Sequence, residues 1–335
     1  MAKSARRRNL PSEKAKGAIT QTEVCSAPAA GFQGAVIELR PDIFSMIHPA
    51  SHCPLLVLSR SDGRSAVAAA AYAARTKMTD LRTGLSYNYR HTPGLLAEGR
   101  VNWKLSVQDL WNAAEKSEKR VNSRVARELR PALPAELPLY EQRRLVHGFA
   151  CWLKDEFGVA VHWVVHAPSF HKKMDSKRFW RDRKSETGWK KYLAVLIDPD
   201  KTNLNFHAHI RFTTRRVNGK TGEFFEKTRE LDDKRTGAEC VLKIRAEWEK
   251  RTNAALAREG SDARIELRSY ETMAAAGDAP AGLTAQKHLG PKQTARGRRV
   301  IPPFLMGSNR RIQAAVFSFM AGVMPPIPML GRSLL

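Results

Sequence analysis

Asn205-Phe206-His207-Ala208-His209-Ile210-Arg211-Phe212 alternates with the period of an extended chain. As a strand it places Phe206, Ala208, Ile210 and Phe212 on one face, and His207, His209, Arg211 and Thr213 on the other. The apolar face asks for a core. On the other face two imidazoles, two residues apart, point the same way from a rigid element, as a pair of metal ligands would. A His-x-His pair alone does not make a site; a third ligand does.

Upstream, Gly158 ends a helical pattern and Val159–His166 (VAVHWVVH) reads as a second strand. Val159, Val161, Trp163 and Val165 share one face, and His162, Val164 and His166 the other. If the two strands pair, a histidine from this one, His162 or His166, joins His207 and His209. Three such imidazoles with open positions suit a divalent metal acting as a Lewis acid on a phosphodiester.

The surrounding pattern predicts a strand over Cys53–Ser59, a polar turn over 59–64 and an alanine-rich helix over Ser65–Lys77 with Ser65 as N-cap. Short extended pieces flank Thr83-Gly84. A helix starts at the capping box Ser106/Asp109, with Val107, Leu110, Trp111, Ala114, Val121 and Val125 as apolar positions. An extended piece over Leu129–Leu133, an amphipathic helix over Pro138–Phe157 and a short strand over Leu193–Ile197 follow. Beyond the histidine strand (206–214) come a turn or hairpin at Asn218–Gly222, a helix over Thr236–Glu259 and a strand over Ala263–Leu267. Strands and helices mix without regular β-α-β alternation, and no glycine-rich phosphate loop occurs. The expected fold class is therefore α+β, with an antiparallel sheet.

Among the 335 residues, 57 Lys and Arg stand against 33 Asp and Glu, a formal net charge of +24. Such a surface favours a polyanion, nucleic acid before a ribosomal or membrane-surface partner. The cysteines Cys25, Cys53, Cys151 and Cys240 have neither zinc-ligand nor redox spacing, which fits reduced thiols in a cytosol. No apolar region follows the basic N-terminus as a secretion signal would, and no run is long enough for a transmembrane helix; Ala314–Val323 comes nearest. Residues 1–45 read as a mobile basic extension. In residues 170–191, Phe179, Trp180 and Trp189 alternate with Lys172, Lys173, Lys177, Arg178, Arg181, Arg183 and Lys184. Aromatics can stack on unpaired bases while cations hold phosphates; the plainer reading is a solvated loop.

Cleaving a diester needs a nucleophile. Tyr72, on a helix whose alanine neighbours leave room for a strand to approach, is the candidate. Attack by its oxygen exchanges one phosphodiester for another and keeps the energy needed to reseal. A nearby cation would activate it. On the plainer reading Tyr72 is a packing residue.

These residues together resemble the MobA/MobL family of plasmid mobilisation relaxases. The likeness runs from Arg60–Tyr72 (RSDGRSAVAAAAY) through Thr79-Asp80, Arg82-Thr83-Gly84, Leu110-Trp111-Asn112, Ala126-Arg127-Glu128 and Ala132–Leu137. It continues through Val165–Pro168, Asn205, His207–Ile210, Thr213–Arg215, Arg229–Asp233 and Ala263–Ile265 to His288–Pro291, covering about residues 52 to 292 in the family's order. It implies a relaxase of the His-hydrophobe-His class, with a central antiparallel sheet flanked by helices. Tyr72 matches the nucleophile, which keeps the 5′-phosphate. His207 and His209 match two metal ligands and His166 the third, for Mg²⁺ or Mn²⁺. The implied partners are single-stranded DNA at a transfer origin, accessory relaxosome proteins and the coupling protein of a secretion system, in the cytoplasm and without stable membrane insertion.

Arg64, Arg75, Arg211 and, in the basic stretch, Lys172, Lys173, Arg178, Trp180 and Arg181 are assigned to holding DNA from charge and position. The domain reading is an extension over 1–50, a relaxase domain over 51–295 with an insertion near 170–198, and a tail over 296–335. Phe206 replaces the family's usual Pro, Leu267 stands where a histidine is common, and Arg130 stands where an acidic residue is common, with Glu128 the near substitute. Competing readings are a rolling-circle replication initiator or transposase with the same metal site, and a non-catalytic basic nucleic-acid-binding protein.

Overall fold

A computed structural model describes residues 48–279. The expectations for the N-terminal extension before residue 48 lie outside the described residues. So do those for Cys25, His288–Pro291, Ala314–Val323, the boundary at 295 and the C-terminal tail.

In chain order the elements are β1 (Leu55–Ser59), α1 (Ala66–Ala73), β2 (Lys77–Thr79), β3 (Ser86–Asn88), β4 (Leu95–Val101), α2 (Val107–Ser117), β5 (Arg124–Leu129), β6 (Ala132–Leu133) and α3 (Leu139–Phe157). There follow β7 (Val159–His166), α4 (Lys173–Asp182), α5 (Glu186–Leu196), β8 (Phe206–Asn218), β9 (Glu223–Lys227), α6 (Gly237–Arg258) and α7 (Tyr270–Ala275). The main sheet runs β1-β5-β8-β7-β4, with β6 and β9 also pairing with β8. Its pairings are all antiparallel. With its flanking helices this is the expected α+β class.

The histidine strand is the sheet's centre. Its apolar face, Phe206, Ala208, Ile210 and Phe212, packs in one core with Val146, Phe149 and Leu153 of α3 and Ile244 and Trp248 of α6. A second core on the opposite side joins α1 and α2, through Ala66, Val67, Ala70, Leu110 and Trp111. Both sheet faces are therefore covered, and every residue of β7 is buried. The polar face of β8 is trapped under α1 and α2, where its groups must find partners or a ligand.

Several elements depart from the sequence expectation. The alanine helix ends at Ala73 rather than Lys77, because Arg75 adopts φ = 52°. Thr76 N–H donates to Ala71 O (3.1 Å) and Arg75 N–H to Tyr72 O (3.4 Å), a Schellman closure with arginine where glycine is usual. Left-handed backbone costs a non-glycine residue about 1–2 kcal/mol; burial of Met78 in β2 just beyond the turn helps to offset it. The second helix stops at Ser117, so Val121 lies 90% exposed in a loop while Val125 belongs to β5. Strands β4 and β5 were not foreseen, apart from Leu129. Leu193–Ile197 is not a strand: it falls at the end of α5, where Leu196 is buried.

Ala263–Leu267 is not a strand either. Side chains replace its ladder: Asn253 bonds both N–H and C=O of Ile265, Ser51 accepts from Glu266 N–H (3.0 Å), and Glu249 from Leu267 N–H (2.6 Å).

The insertion at 170–198 is a helical pair rather than a solvated loop. Its aromatics turn inward. Trp180 and Trp189 pack against buried Tyr192, Phe179 stacks on Phe170 beside it, and Arg183 lies 3.4 Å over the Trp180 ring. Trp180 is thus a packing residue whose ring is covered, not an open platform for a base.

Gly99 of β4 sits beneath the Trp163 indole, and a Cβ built there would lie 2.3 Å from it. Gly99→Ala should destabilise the domain by about 1–3 kcal/mol, read by chemical denaturation; an unchanged midpoint would show the sheet edge to be pliable.

Candidate metal and tyrosine site

Sheet register assembles the histidines. His166 on β7 lies directly opposite His207 on β8, and Val164 opposite His209. The three rings face one another with centroids 4.8–5.4 Å apart, and one ligand nitrogen from each falls within 4.8 Å of the others. His162, four residues earlier on β7 and opposite Arg211, stays outside this group. It is buried, and its Nε2 is 3.0 Å from Glu98.

Each imidazole is oriented through one nitrogen and offers the other. His207 Nδ1 bonds Asn205 O (3.0 Å), His209 Nδ1 bonds Glu128 Oε1 (3.0 Å), and His166 Nε2 bonds Ala73 O (2.7 Å). His166 Nδ1 is buried and has no partner among the described residues. An orphan of this kind costs roughly 1–3 kcal/mol unless something satisfies it, and a divalent cation would. Outer partners that fix ring and tautomer are the usual companions of metal-binding histidines. Three converging neutral imidazoles fit a divalent transition ion.

Burial keeps them neutral. It pushes His166 down to about 3, helped by the repulsion that protonated His209 would add and by the charge of Arg75, and His207 down to about 4. His209 is also lowered by burial, which outweighs the opposing pull of Glu128. For His166 and His207 the folded values lie below the ordinary 6.5, so between them the unfolded chain binds more protons than the folded one. The stability tied to these neutral rings is complete above about pH 6.5 and is lost as pH falls toward 3–4. The thermal midpoint of the metal-free protein should therefore fall steeply from pH 6.5 to 4. A flat profile over that range would contradict neutral burial.

Glu128 is the acidic group of the site. It is fully buried, accepts from His209 and Arg211 through one oxygen, and from Arg130 Nε (2.7 Å) through the other. Burial alone would raise its pKa, but Arg211, His209 and Arg130 hold it well below the usual carboxylate range. Arg130 lies just past the end of β5, two residues beyond Glu128, and the carboxylate that its position lacks is supplied by Glu128, to which it donates. Arg211, expected to hold DNA, is instead 2% exposed and committed to Glu128. This corrects that expectation: β8 turns Arg211 inward together with the histidines.

Tyr72 stands over the cluster. The α1 helix that carries it is pinned at its start, where Ser65 caps Ala68 N–H and bonds Asp80 (2.8 Å), and Glu115 accepts from Ala66 N–H (2.8 Å). At its end Ala73 O holds His166. Tyr72 is 46% exposed, edge-on to Tyr89 at 5.3 Å and to His209 at 6.5 Å. The Arg75 guanidinium lies 4.3 Å over its ring.

Tyr72, Tyr89 and His209 border a cleft of about 310 Å³, with Arg64, Ala68, Tyr87, Arg130 and Arg211 also in its wall. Composition and motif do not single out Tyr87 and Tyr89; the one signal for them is their two-residue spacing in and just after the short β3 that follows the Thr83-Gly84 turn. Lys172, Lys173, Arg178 and Arg181 are exposed on or beside α4 and do not line the cleft.

The MobA/MobL family model matches residues 64–299. The Mobilization protein MobL of Acidithiobacillus ferridurans is 33% identical over 260 residues, 74% of this chain and 64% of that protein. The Conjugal transfer protein TraA of Rhizobium radiobacter is 29% identical over 237 residues, 66% of this chain and 20% of that protein. The chain thus spans less than two thirds of the length of either relative. A solved structure described as "Molecular Basis of Vancomycin Resistance Transfer in Staphylococcus aureus" superposes with a TM-score of 0.47 and 23% identity, over 65% of this chain and 98% of that one.

Proposed function

The chain belongs to the MobA/MobL family, and from that premise we propose that it is a mobilisation relaxase that nicks one DNA strand at a transfer origin. The observation that carries this reading is a half-exposed tyrosine standing edge-on to His209, one of three converging histidines that each have a nitrogen to spare. A divalent ion held by His166, His207 and His209, Mn²⁺ before Mg²⁺ for an all-imidazole set, supplies Lewis-acid polarisation of the scissile phosphate when bound.

The protein's own residues do the rest. Tyr72 Oη attacks phosphorus, the 5′-phosphate stays on the tyrosine, and the 3′-oxygen leaves. The new ester retains the energy that reseals the strand. Glu128, Asn205 O and Ala73 O hold the imidazoles in their binding tautomers. The pinned α1 keeps Tyr72 at a set height above them. Tyr87 and Tyr89 give the cleft aromatic faces for unpaired bases, and Arg64 gives it positive charge. Lys172, Lys173, Arg178 and Arg181, outside the cleft on or beside α4, offer further positive charge to the strand's phosphates, so affinity falls with salt. Accessory relaxosome proteins and a coupling protein are its partners in the cytoplasm.

The test is incubation of the whole protein with a single strand spanning its own replicon's transfer origin, with Mn²⁺. A covalent protein–DNA adduct that resists denaturant and disappears with chelator is expected. If no adduct forms, or if chelator leaves it undiminished, the reading fails and a basic nucleic-acid-binding protein with structural histidines remains.

A further inference from the structure

We infer that Arg75 is a catalytic residue whose guanidinium grips the non-bridging oxygens of the phosphate under attack, and that its left-handed backbone exists to put it there. The inference rests on the relaxase reading above. Three observations meet at this one side chain. Its backbone φ is 52°, at the position of a helix-closing motif that glycine ordinarily fills. Its Nε and Nη1 are buried and have no partner among the described residues. Its guanidinium lies 4.3 Å over the Tyr72 ring, and its charge is felt at both His166 and His207.

A helix that needed no more than an end here would be better closed by glycine. A cation that served only to stack on the tyrosine would keep its N–H groups in water. Buried, unpaired donors beside a nucleophile are instead prepared for an anion that arrives with the substrate. Arginine suits the task, because its fixed fork matches two phosphate oxygens. The place is also right: the tyrosine lies on one side of the guanidinium and the histidines are within reach of its charge.

In the step itself the Tyr72 Oη–P bond forms and the P–O3′ bond breaks. The phenolic proton ends, through solvent, on the released 3′-hydroxyl. No oxidant or further reactant is needed. Negative charge builds on the phosphoryl oxygens as both axial bonds become partial, and donors already fixed in place stabilise it without reorganising.

The backbone strain makes the test clean. Arg75→Gly removes the side chain and relieves the left-handed residue, so its thermal midpoint should equal or exceed that of the wild type. Its midpoint should still rise on adding Mn²⁺ alone. Its single-turnover rate of adduct formation on the origin strand should nevertheless fall on the order of 100-fold, the usual loss for one preorganised donor. Arg75→Asn, which also tolerates this backbone, should fall similarly. Arg75→Lys should keep part of the rate, and free guanidinium ion at low millimolar concentration should restore part of the rate of Arg75→Gly.

A Gly or Asn variant within threefold of an active wild type would overturn the inference and leave the relaxase reading standing. A wild type that forms no adduct would remove both. Loss of the Mn²⁺-dependent rise in the variants would overturn the phosphate role, since Arg75 would then be supporting the histidines.

Discussion

Tyr72→Phe is expected to abolish the covalent adduct and to leave the fold intact. The substitution removes one oxygen and keeps the ring. The edge contact with Tyr89 and the stacking of Arg75 both belong to that ring and survive. Tyr72 is 46% exposed, so its hydroxyl carries little of the packing. Stability should stay within about 0.5 kcal/mol of the wild type, as for a surface change. Adduct formation should fall on the order of 10³-fold or more, since deleting a nucleophile removes the chemistry rather than the binding. Binding of the same strand, read by fluorescence anisotropy in Mn²⁺, should change little. A variant that still forms the adduct would move the nucleophile to another hydroxyl of the cleft wall, that of Ser65, Tyr87 or Tyr89.

Glu128→Ala has the largest expected effect on stability. The carboxylate is fully buried and satisfies His209, Arg211 and Arg130 together. Arg211, itself 2% exposed, already has Nε and Nη1 without partners among the described residues. Removing Glu128 leaves a buried guanidinium with no counter-charge. Breaking a buried pair in this way costs about 3–5 kcal/mol. His209 also loses the acceptor that sets its tautomer, so Mn²⁺ affinity should drop about 10–100-fold. Glu128→Gln keeps the shape and one acceptor oxygen, and should fall between the two. Denaturant titration reads the first effect and calorimetric titration with Mn²⁺ the second. A Glu128→Ala protein within about 1 kcal/mol of the wild type would mean that Arg211 relaxes to another partner.

Local chemistry made some elements legible. Residues 139–157 carry a helical stripe that ends at a glycine in left-handed backbone, and 159–166 and 206–214 alternate as strands do. Other elements are written in contacts the chain makes far away. The turn at Arg75 opposes the helix propensity of its alanine neighbours and is sustained by the sheet and hairpin beyond it. Strand β4 lies at the sheet edge, where half-buried residues give a weak alternation. Residues 263–267 have a strand's composition, yet their hydrogen bonds go to side chains of α6 and to Ser51. The aromatics of 170–191 look like a base-stacking surface until the Tyr192 cluster draws them inward.

The sequence by itself determined the two faces of the histidine strand, because alternation is a property of the extended backbone and needs no partner. It also pointed, through order and resemblance, to Tyr72, His166, His207 and His209 as candidates for one site. Tertiary structure decided what composition and periodicity left open. Antiparallel register sets His166, not His162, opposite His207, since a displacement of four residues along β7 moves a ring by about 13 Å. Burial decided the charges: the same low-dielectric layer that keeps the imidazoles neutral makes Glu128 and Arg211 depend on each other. A single left-handed residue decided where the helix ends, and so where the Arg75 guanidinium lies. Each of these is a relation between segments distant in the chain, which is why spacing along the sequence could not display it.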